Sequence, residues 1–177
     1  MKVFIAGPRA ISKLSSEVLK RIDNIINNGY TILVGDANGI DKAVQNYCNG
    51  KKYNNVKVFA SNGKARNNIG QWDIINIEVN ENIKGFDFYA AKDLAMAKES
   101  DYGFMVWNGK SKGTLNNIIN MVLLDKKVLV YYTPDKEFHV LKSINDVKKF
   151  LSKSEDIAVK NFFIEQLLKN EQISLPI

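Results

Sequence analysis

Residues 102–132 read YGFMVWNGKSKGTLNNIINMVLLDKKVLVYY. Tyr102–Trp107 is an almost unbroken apolar run of the kind shown by a strand buried on both faces. A polar, glycine-containing loop, Asn108–Gly113, follows it. Leu115, Ile118, Ile119, Val122 and Leu123 then recur at the spacing of one helix face, and Lys127–Tyr132 is a second continuous apolar strand. Strands of this character separated by helices predict a parallel sheet covered on both faces.

The same alternation runs back toward the N-terminus. Residues 2–6 (KVFIA) read as a strand ending at Gly7-Pro8, and Leu14, Val18, Ile22, Ile25 and Ile26 mark a helix that Asn28-Gly29 stops. Residues 30–34 (YTILV) form the next strand, ended by Gly35-Asp36. A helix is predicted over Ile40–Tyr47, a strand over Val56–Phe59 and a helix over Phe88–Glu99. Between the last two, residues 61–87 are rich in Asn, Gly and charge, with a short strand at Ile74–Val79. That segment is too long for an idle connection and reads as a binding loop or lid. The fold class is α/β: a Rossmann-like, doubly wound, mainly parallel sheet with helices on both faces, plus C-terminal helices. Those helices, 143–151 and 155–169, carry Val147, Phe150, Leu151, Val159, Phe162, Phe163 and Leu167, and either pack on the sheet or form a homodimer contact. Residues 1–132 are expected to form the ligand-binding domain, and residues 133–177 a helical extension packed on it.

Composition narrows the function. The chain has 177 residues, 45% hydrophobic and 25% charged, which fits one globular domain. No apolar run approaches the roughly 18 residues of a membrane-spanning helix. The N-terminal MKVFIAGPRA lacks the longer apolar core of a signal peptide, so a cytoplasmic location is expected. Cys48 is the single cysteine, and with His139 the single histidine neither a disulfide nor a metal cluster is expected; no cofactor is expected either. The net charge is +6, and residues 133–177, with seven lysines and seven acids, contribute none of it. The excess on residues 1–132 suits an anionic ligand. Dispersed lysines and few arginines (Arg9, Arg21, Arg66) do not resemble a nucleic-acid patch.

In a parallel sheet, ligands bind at the carboxyl ends of the strands. Three loops there are polar and glycine-containing: Gly7-Pro8-Arg9, Gly35-Asp36-Ala37-Asn38-Gly39 and Asn108–Thr114. Glycine admits close backbone approach, and a helix N-terminus behind each loop offers free N–H groups to an anion. Lys110, Lys112, Ser111 and Thr114 add donors for phosphate oxygens. Neither the Walker nor the G-x-G-x-x-G spacing is present, which disfavours an ordinary ATPase or NAD dehydrogenase.

Taken together, GPRAI (residues 7–11), VGDANGID (34–41) and YAAKDLAMAKESDYGFMVWNGKSKGTLNNI (89–118) resemble the SLOG superfamily, which includes LOG-type nucleotide phosphoribohydrolases, the DNA-processing protein DprA and YpsA-like proteins. The resemblance covers residues 2–132 and is nearest to the YpsA-like branch, whose members are also similar to GKARNNIGQW at residues 63–72. It implies a nucleotide or nucleotide-derived ligand, with phosphate against Lys110, Ser111, Gly113 and Thr114. Gly7, Pro8, Arg9, Gly35, Asp36, Ala37 and Gly39 would line the rest of the cleft. LOG enzymes resemble P-G-G-x-G-T-x-x-E, with a catalytic glutamate. The corresponding position here is Asn117, which can hydrogen-bond a ribose hydroxyl but cannot exchange a proton. The LOG arginine aligns with Lys92, which keeps charge without planar bidentate recognition.

A substitute carboxylate is sought at Asp36, whose alternative is a turn or N-cap, and Lys92 completes the candidate catalytic pair. Asp41 reads as compensating a helix dipole, Asp93 as a solvated residue on another face from Lys92, and Asp101 as fixing a turn. Asp73 and Glu78 are further acids of the lid. Arg66 and Asn67 read either as solvated or as a ligand clamp, and Trp72 as stacking on a base or anchoring its loop. The ring of Trp107 is expected in the core, with an edge toward the cleft. Three readings follow. The first is a nucleotide sensor for a phosphate-bearing, NAD-derived or ADP-ribose-derived ligand. The second is a hydrolase that cleaves the N-glycosidic bond of a nucleoside monophosphate. The third is single-stranded DNA binding as in the DprA branch.

Overall fold

A computed structural model describes residues 1–152 and 154–174. Lys153 and residues 175–177, assigned from sequence to the C-terminal extension, lie outside the described residues. The chain order is β1 (Lys2–Ala6), α1 (Ser16–Asn27), β2 (Thr31–Gly35), α2 (Ile40–Gly50), β3 (Val56–Ser61), β4 (Asp73–Ile77), α3 (Phe86–Glu99), β5 (Tyr102–Trp107), α4 (Lys112–Leu123), β6 (Val128–Tyr132), β7 (Glu137–Leu141), α5 (Ile144–Ser152) and α6 (Ile157–Ser174). The strands make one sheet in the order β4-β3-β2-β1-β5-β6-β7. Every neighbouring pair is parallel except β6 and β7, an antiparallel hairpin in which Val130 lies opposite His139. This is the expected doubly wound α/β fold.

Alternation along the strands sorts the core into two layers. Val3 and Ile5 of β1 face Val18, Ile22 and Ile25 of α1 and Ile40, Val44 and Cys48 of α2. Phe4 and Ala6 face the opposite side, with Met96 and Ala97 of α3, Leu115, Ile118 and Ile119 of α4, Val147 and Leu151 of α5, and Phe162 and Phe163 of α6. The C-terminal helices join this layer through their inward faces, α5 with Phe150 against Trp107 and Tyr132 of the sheet and α6 against α4. Burial of Cys48 pushes its thiol up to about 12, so it is a core side chain rather than a nucleophile.

Two expectations are corrected. The sequence between Thr133-Pro134 and the C-terminal helices holds an edge strand, β7, whose residues Glu137, Phe138 and Val140 are exposed. Residues 61–87 are less open than a lid, because β4 pairs in register with β3 from Lys57↔Asp73 to Ser61↔Ile77. Asp73 and Glu78 are exposed on that edge.

Phe4 is fully buried at the centre of the sheet. Phe4→Ala is expected to lower unfolding free energy by about 3–5 kcal/mol through lost burial and the cavity left behind. Urea denaturation followed by circular dichroism checks this.

Candidate functional site

From β1 the chain moves outward through β2, β3 and β4, then returns to lay β5 on the other side of β1. The order reverses between β1 and β5, and the loops after these strands part to leave a crevice at their carboxyl ends. A cleft of about 550 Å³ occupies it. One wall is Gly7–Ala10 from the β1 loop. The second is Lys110, Ser111, Gly113, Thr114, Asn116 and Asn117 from the β5 loop and α4. The third is Phe86, Tyr89, Ala90, Lys92 and Asp93 of α3, with Ala37 and Asp41 between.

The α4 end is built by local hydrogen bonds. Asn108 Oδ1 accepts from the N–H groups of Lys110 (3.1 Å) and Ser111 (2.9 Å) and turns the chain. Ser111 is the N-cap, its hydroxyl oxygen accepting from the Thr114 N–H at 3.3 Å and from the Thr114 hydroxyl at 3.0 Å. The buried Trp107 indole N–H donates to the Ser111 carbonyl at 3.0 Å, so the strand's last side chain sets the height of the cap. Among the described residues, the N–H groups of Lys112 and Gly113 in the first turn have no protein acceptor. Deeper along α4, Asn117 is 3% exposed and its buried Oδ1 has no hydrogen-bond partner. A buried acceptor left unpaired costs roughly 1–3 kcal/mol.

The α3 wall holds the charged groups. Lys92 is 4% exposed, and its Nζ donates to Asp93 Oδ1 at 2.6 Å. Burial pulls the Lys92 ammonium down, but Asp93, Asp41 and Asp36 outweigh it and hold its pKa above the ordinary lysine value. Adjacent positions on a helix normally diverge; here the flexible lysine stem folds back, so the expected separation of Lys92 from Asp93 is corrected. Asp41, on the first turn of α2, is buried and accepts from the Ala37 N–H at 3.3 Å. Burial pushes its carboxyl up to about 7, against the pull of Lys92. It lines the cleft rather than serving a helix terminus in solvent.

The structure brings Gly7, Pro8, Arg9, Ala37, Lys92, Lys110, Ser111, Gly113, Thr114 and Asn117 to one cleft. It does not bring Gly35, Asp36, Gly39, Arg66, Asn67 or Trp72 to its walls. Gly35 sits behind the charged cluster: a Cβ there would run into the Asp41 carboxylate and lie 2.9 Å from Lys92 Nζ. Gly39, at φ +80°, leaves room for the backbone of Pro8 and Arg9. Asp36 is engaged by Arg66, whose backbone N–H and Nε donate to Oδ2 at 3.0 Å each and whose Nη2 donates to Oδ1 at 2.6 Å. Although burial alone would raise it, the Arg66 bonds hold the Asp36 carboxyl below the usual carboxylate range. Asn67 donates to the Asp36 carbonyl at 2.8 Å and to Asn38 Oδ1 at 3.1 Å. Trp72 is 8% exposed with its indole N–H on the Tyr53 carbonyl at 3.0 Å, which anchors its loop in the core. Trp107 is 1% exposed and presents no edge to the cleft. His139 lies in β7 against Tyr132 and Phe150, away from it.

Sequence reasoning missed Phe86 and Tyr89 as lining residues. Tyr89 carries the guanidinium groups of Arg9 at 4.8 Å and Arg66 at 4.9 Å from its ring centroid. Asp101, expected to fix a turn, accepts from the Lys2 N–H at 2.7 Å. Among the described residues no group of acids, histidines and cysteines could hold a metal, and no helix is long and apolar enough to cross a membrane.

No family model matches the chain, and no curated protein matches it in sequence. Among solved structures, it is similar to DNA processing protein A from Helicobacter pylori, a protein described by its single-stranded DNA binding mode. The two are 16% identical, the TM-score is 0.56, and the match covers 96% of this chain and 81% of that one. The likeness is one of fold: this chain shares a Rossmann-like α/β fold with that protein.

The Asp41 carboxyl titrates at about 3.9 in an unfolded chain and at about 7 in the folded one. Between those values the folded protein keeps a proton that the unfolded chain has released. The resulting stability is full below about pH 4 and is lost as pH rises through about 7. Asp41→Asn, uncharged throughout, should flatten this part of the pH dependence. Urea midpoints of both proteins across that range measure the difference.

Proposed function

We propose that this chain is a SLOG-type nucleotide-binding protein of the YpsA-like branch, holding a phosphate-bearing or ADP-ribose-derived ligand in the cleft between the β1 and β5 loops. The observation that carries this reading is the unpaired, buried Oδ1 of Asn117 at a cleft whose neighbouring helix turn has two free N–H groups. A ribose hydroxyl can donate to the former while phosphate oxygens accept from the latter, from Lys110 and from Arg9. The two acceptor and donor sites lie on one helix, so a single nucleotide is the simplest ligand that meets both. Asn117 in place of the LOG glutamate makes recognition without turnover the first expectation.

A specific observation favours a second reading. Asp41 is a cleft carboxyl held near neutrality, the condition a general acid needs at physiological pH. In that reading Asp41, not Asp36, protonates the departing base of a nucleoside monophosphate while water attacks the ribose carbon, and Lys92 keeps the site's charge balanced. The single-stranded DNA binding of the similar Helicobacter pylori protein suggests a third. Asp41 and Asp93 line the same cleft as Arg9, Lys92 and Lys110, which argues against a polyanion there.

Thermal-shift titration against AMP, other monophosphates, NAD and ADP-ribose tests all three. A ligand at 100 times its dissociation constant adds about 2.7 kcal/mol of stability. Binding with the ligand recovered intact supports the sensor. Release of free base, abolished by Asp41→Asn, supports the hydrolase. Response only to single-stranded DNA, falling steeply with salt, overturns both. Lys110→Ala is expected to weaken a phosphate-bearing ligand by roughly tenfold or more, the value of one charge-assisted hydrogen bond.

A further inference from the structure

We infer that Asn116 is a specificity-determining residue, and that with Asn117 it selects a ribonucleotide with free 2′ and 3′ hydroxyls over a 2′- or 3′-deoxynucleotide. This selectivity rests on the nucleotide reading above and specifies its sugar. Asn116 and Asn117 are consecutive residues of α4, 6% and 3% exposed, and both line the cleft. Asn117 Oδ1 is buried without a partner. Among the described residues, neither the rest of its amide nor any part of the Asn116 amide makes a hydrogen bond to the protein. Leu115, Ile118 and Ile119, on either side in sequence, are core residues. Two unspent amides in such a place are costly to the fold, because each loses much of its water without gaining a protein partner.

The chemistry of the amide selects the ligand. An amide offers a carbonyl acceptor and an NH2 donor, and a hydroxyl both donates and accepts, so one hydroxyl meets either half of an amide. Two amides on successive residues match two neighbouring hydroxyls, as a ribose presents them. A base edge is matched by one amide and leaves the other unspent. The spacing agrees. Gly113, whose N–H is free for phosphate, stands with Asn116 and Asn117 at i, i+3 and i+4, on one face of α4. One helical turn, about 5.4 Å, separates the anion end from the amides. A phosphate on the first turn and the hydroxyls on the far side of its own ribose bridge that interval. Single-stranded DNA lacks the 2′ hydroxyl and leaves one amide unmatched.

Isothermal titration calorimetry of the full chain with AMP, 2′-deoxy-AMP and 3′-deoxy-AMP, together with melting temperatures without ligand, tests the proposal. The wild type should bind AMP about tenfold or more tighter than either analogue, the loss expected when a buried polar group stays unpaired. Asn116→Ala should weaken AMP by a similar factor and leave at least one deoxy analogue unchanged, closing that gap. Without ligand it should melt close to the wild type, because the amide bonds nothing in the fold and alanine is the better helix former. A clear drop in melting temperature, the sign of a structural role, would overturn the proposal, as would an AMP preference that survives Asn116→Ala. Equal binding of AMP and both analogues would overturn it and leave the nucleotide site standing. No binding of any of the three would overturn both.

Discussion

A lysine ammonium buried almost completely beside the cleft at the carboxyl ends of β1 and β5 is the constraint around which its charged groups are arranged. Removing such a charge from water is costly unless opposite charge surrounds it. Here Asp93 bonds Lys92 directly, and Asp41 and Asp36 contribute at longer range. Three features of the sequence follow from that cluster. Gly35 has no side chain because Asp41 and Lys92 fill the space where one would start. Asp36 remains ionised beside a second cation, Arg66, which ties the segment after β3 to the end of β2. Asp41 bears the cost of its own burial as a raised pKa.

The cleft is consequently asymmetric. Its α4 end offers a capped helix terminus, free N–H groups and a lone amide oxygen, all suited to a polar anionic ligand. Its α3 end offers a closely balanced group of one lysine and two acids, with Tyr89 stacked by arginines at the rim. Asn117 and Asp41 stand on different elements, so the unpaired amide oxygen of one and the neutral-range carboxyl of the other are separable properties. In the proposed function, recognition uses the first end, and bond cleavage would use the second.

Much of this was legible in the sequence. The parallel strands and their helices announce themselves because strands buried on both faces are continuously apolar, and the loops at their carboxyl ends are where glycine and polar residues gather. β7 was hidden because it is an edge strand little covered on either face: Glu137 on one side and Phe138 and Val140 on the other are exposed, and only Leu141 is buried. Loop residues after β1 and β5 line the cleft, whereas after β2 only Ala37 does, and Asp36 turns away to bond Arg66. That outcome depends on Arg66 and Asn67 arriving from a segment distant in sequence. One signal for Asp41 was available: it shares its helix side with Gln45 and Cys48, next to Ile40 and Val44, and all are buried. A carboxylate inside an apolar stripe is not dipole compensation at a surface. Tyr89 and Phe86 gave no comparable signal, since their exposure at the rim depends on how α3 lies across the sheet edge.

The central claim is that a nucleotide's phosphate rests on the first turn of α4 and its ribose reaches Asn117. Residue-resolved NMR during titration with AMP or ADP-ribose tests it most directly. The largest shifts are expected at the backbone N–H groups of Lys112 and Gly113 and at the Asn117 side-chain amide. Saturable binding that leaves these signals unmoved and shifts those around His139 and Phe150 would contradict it.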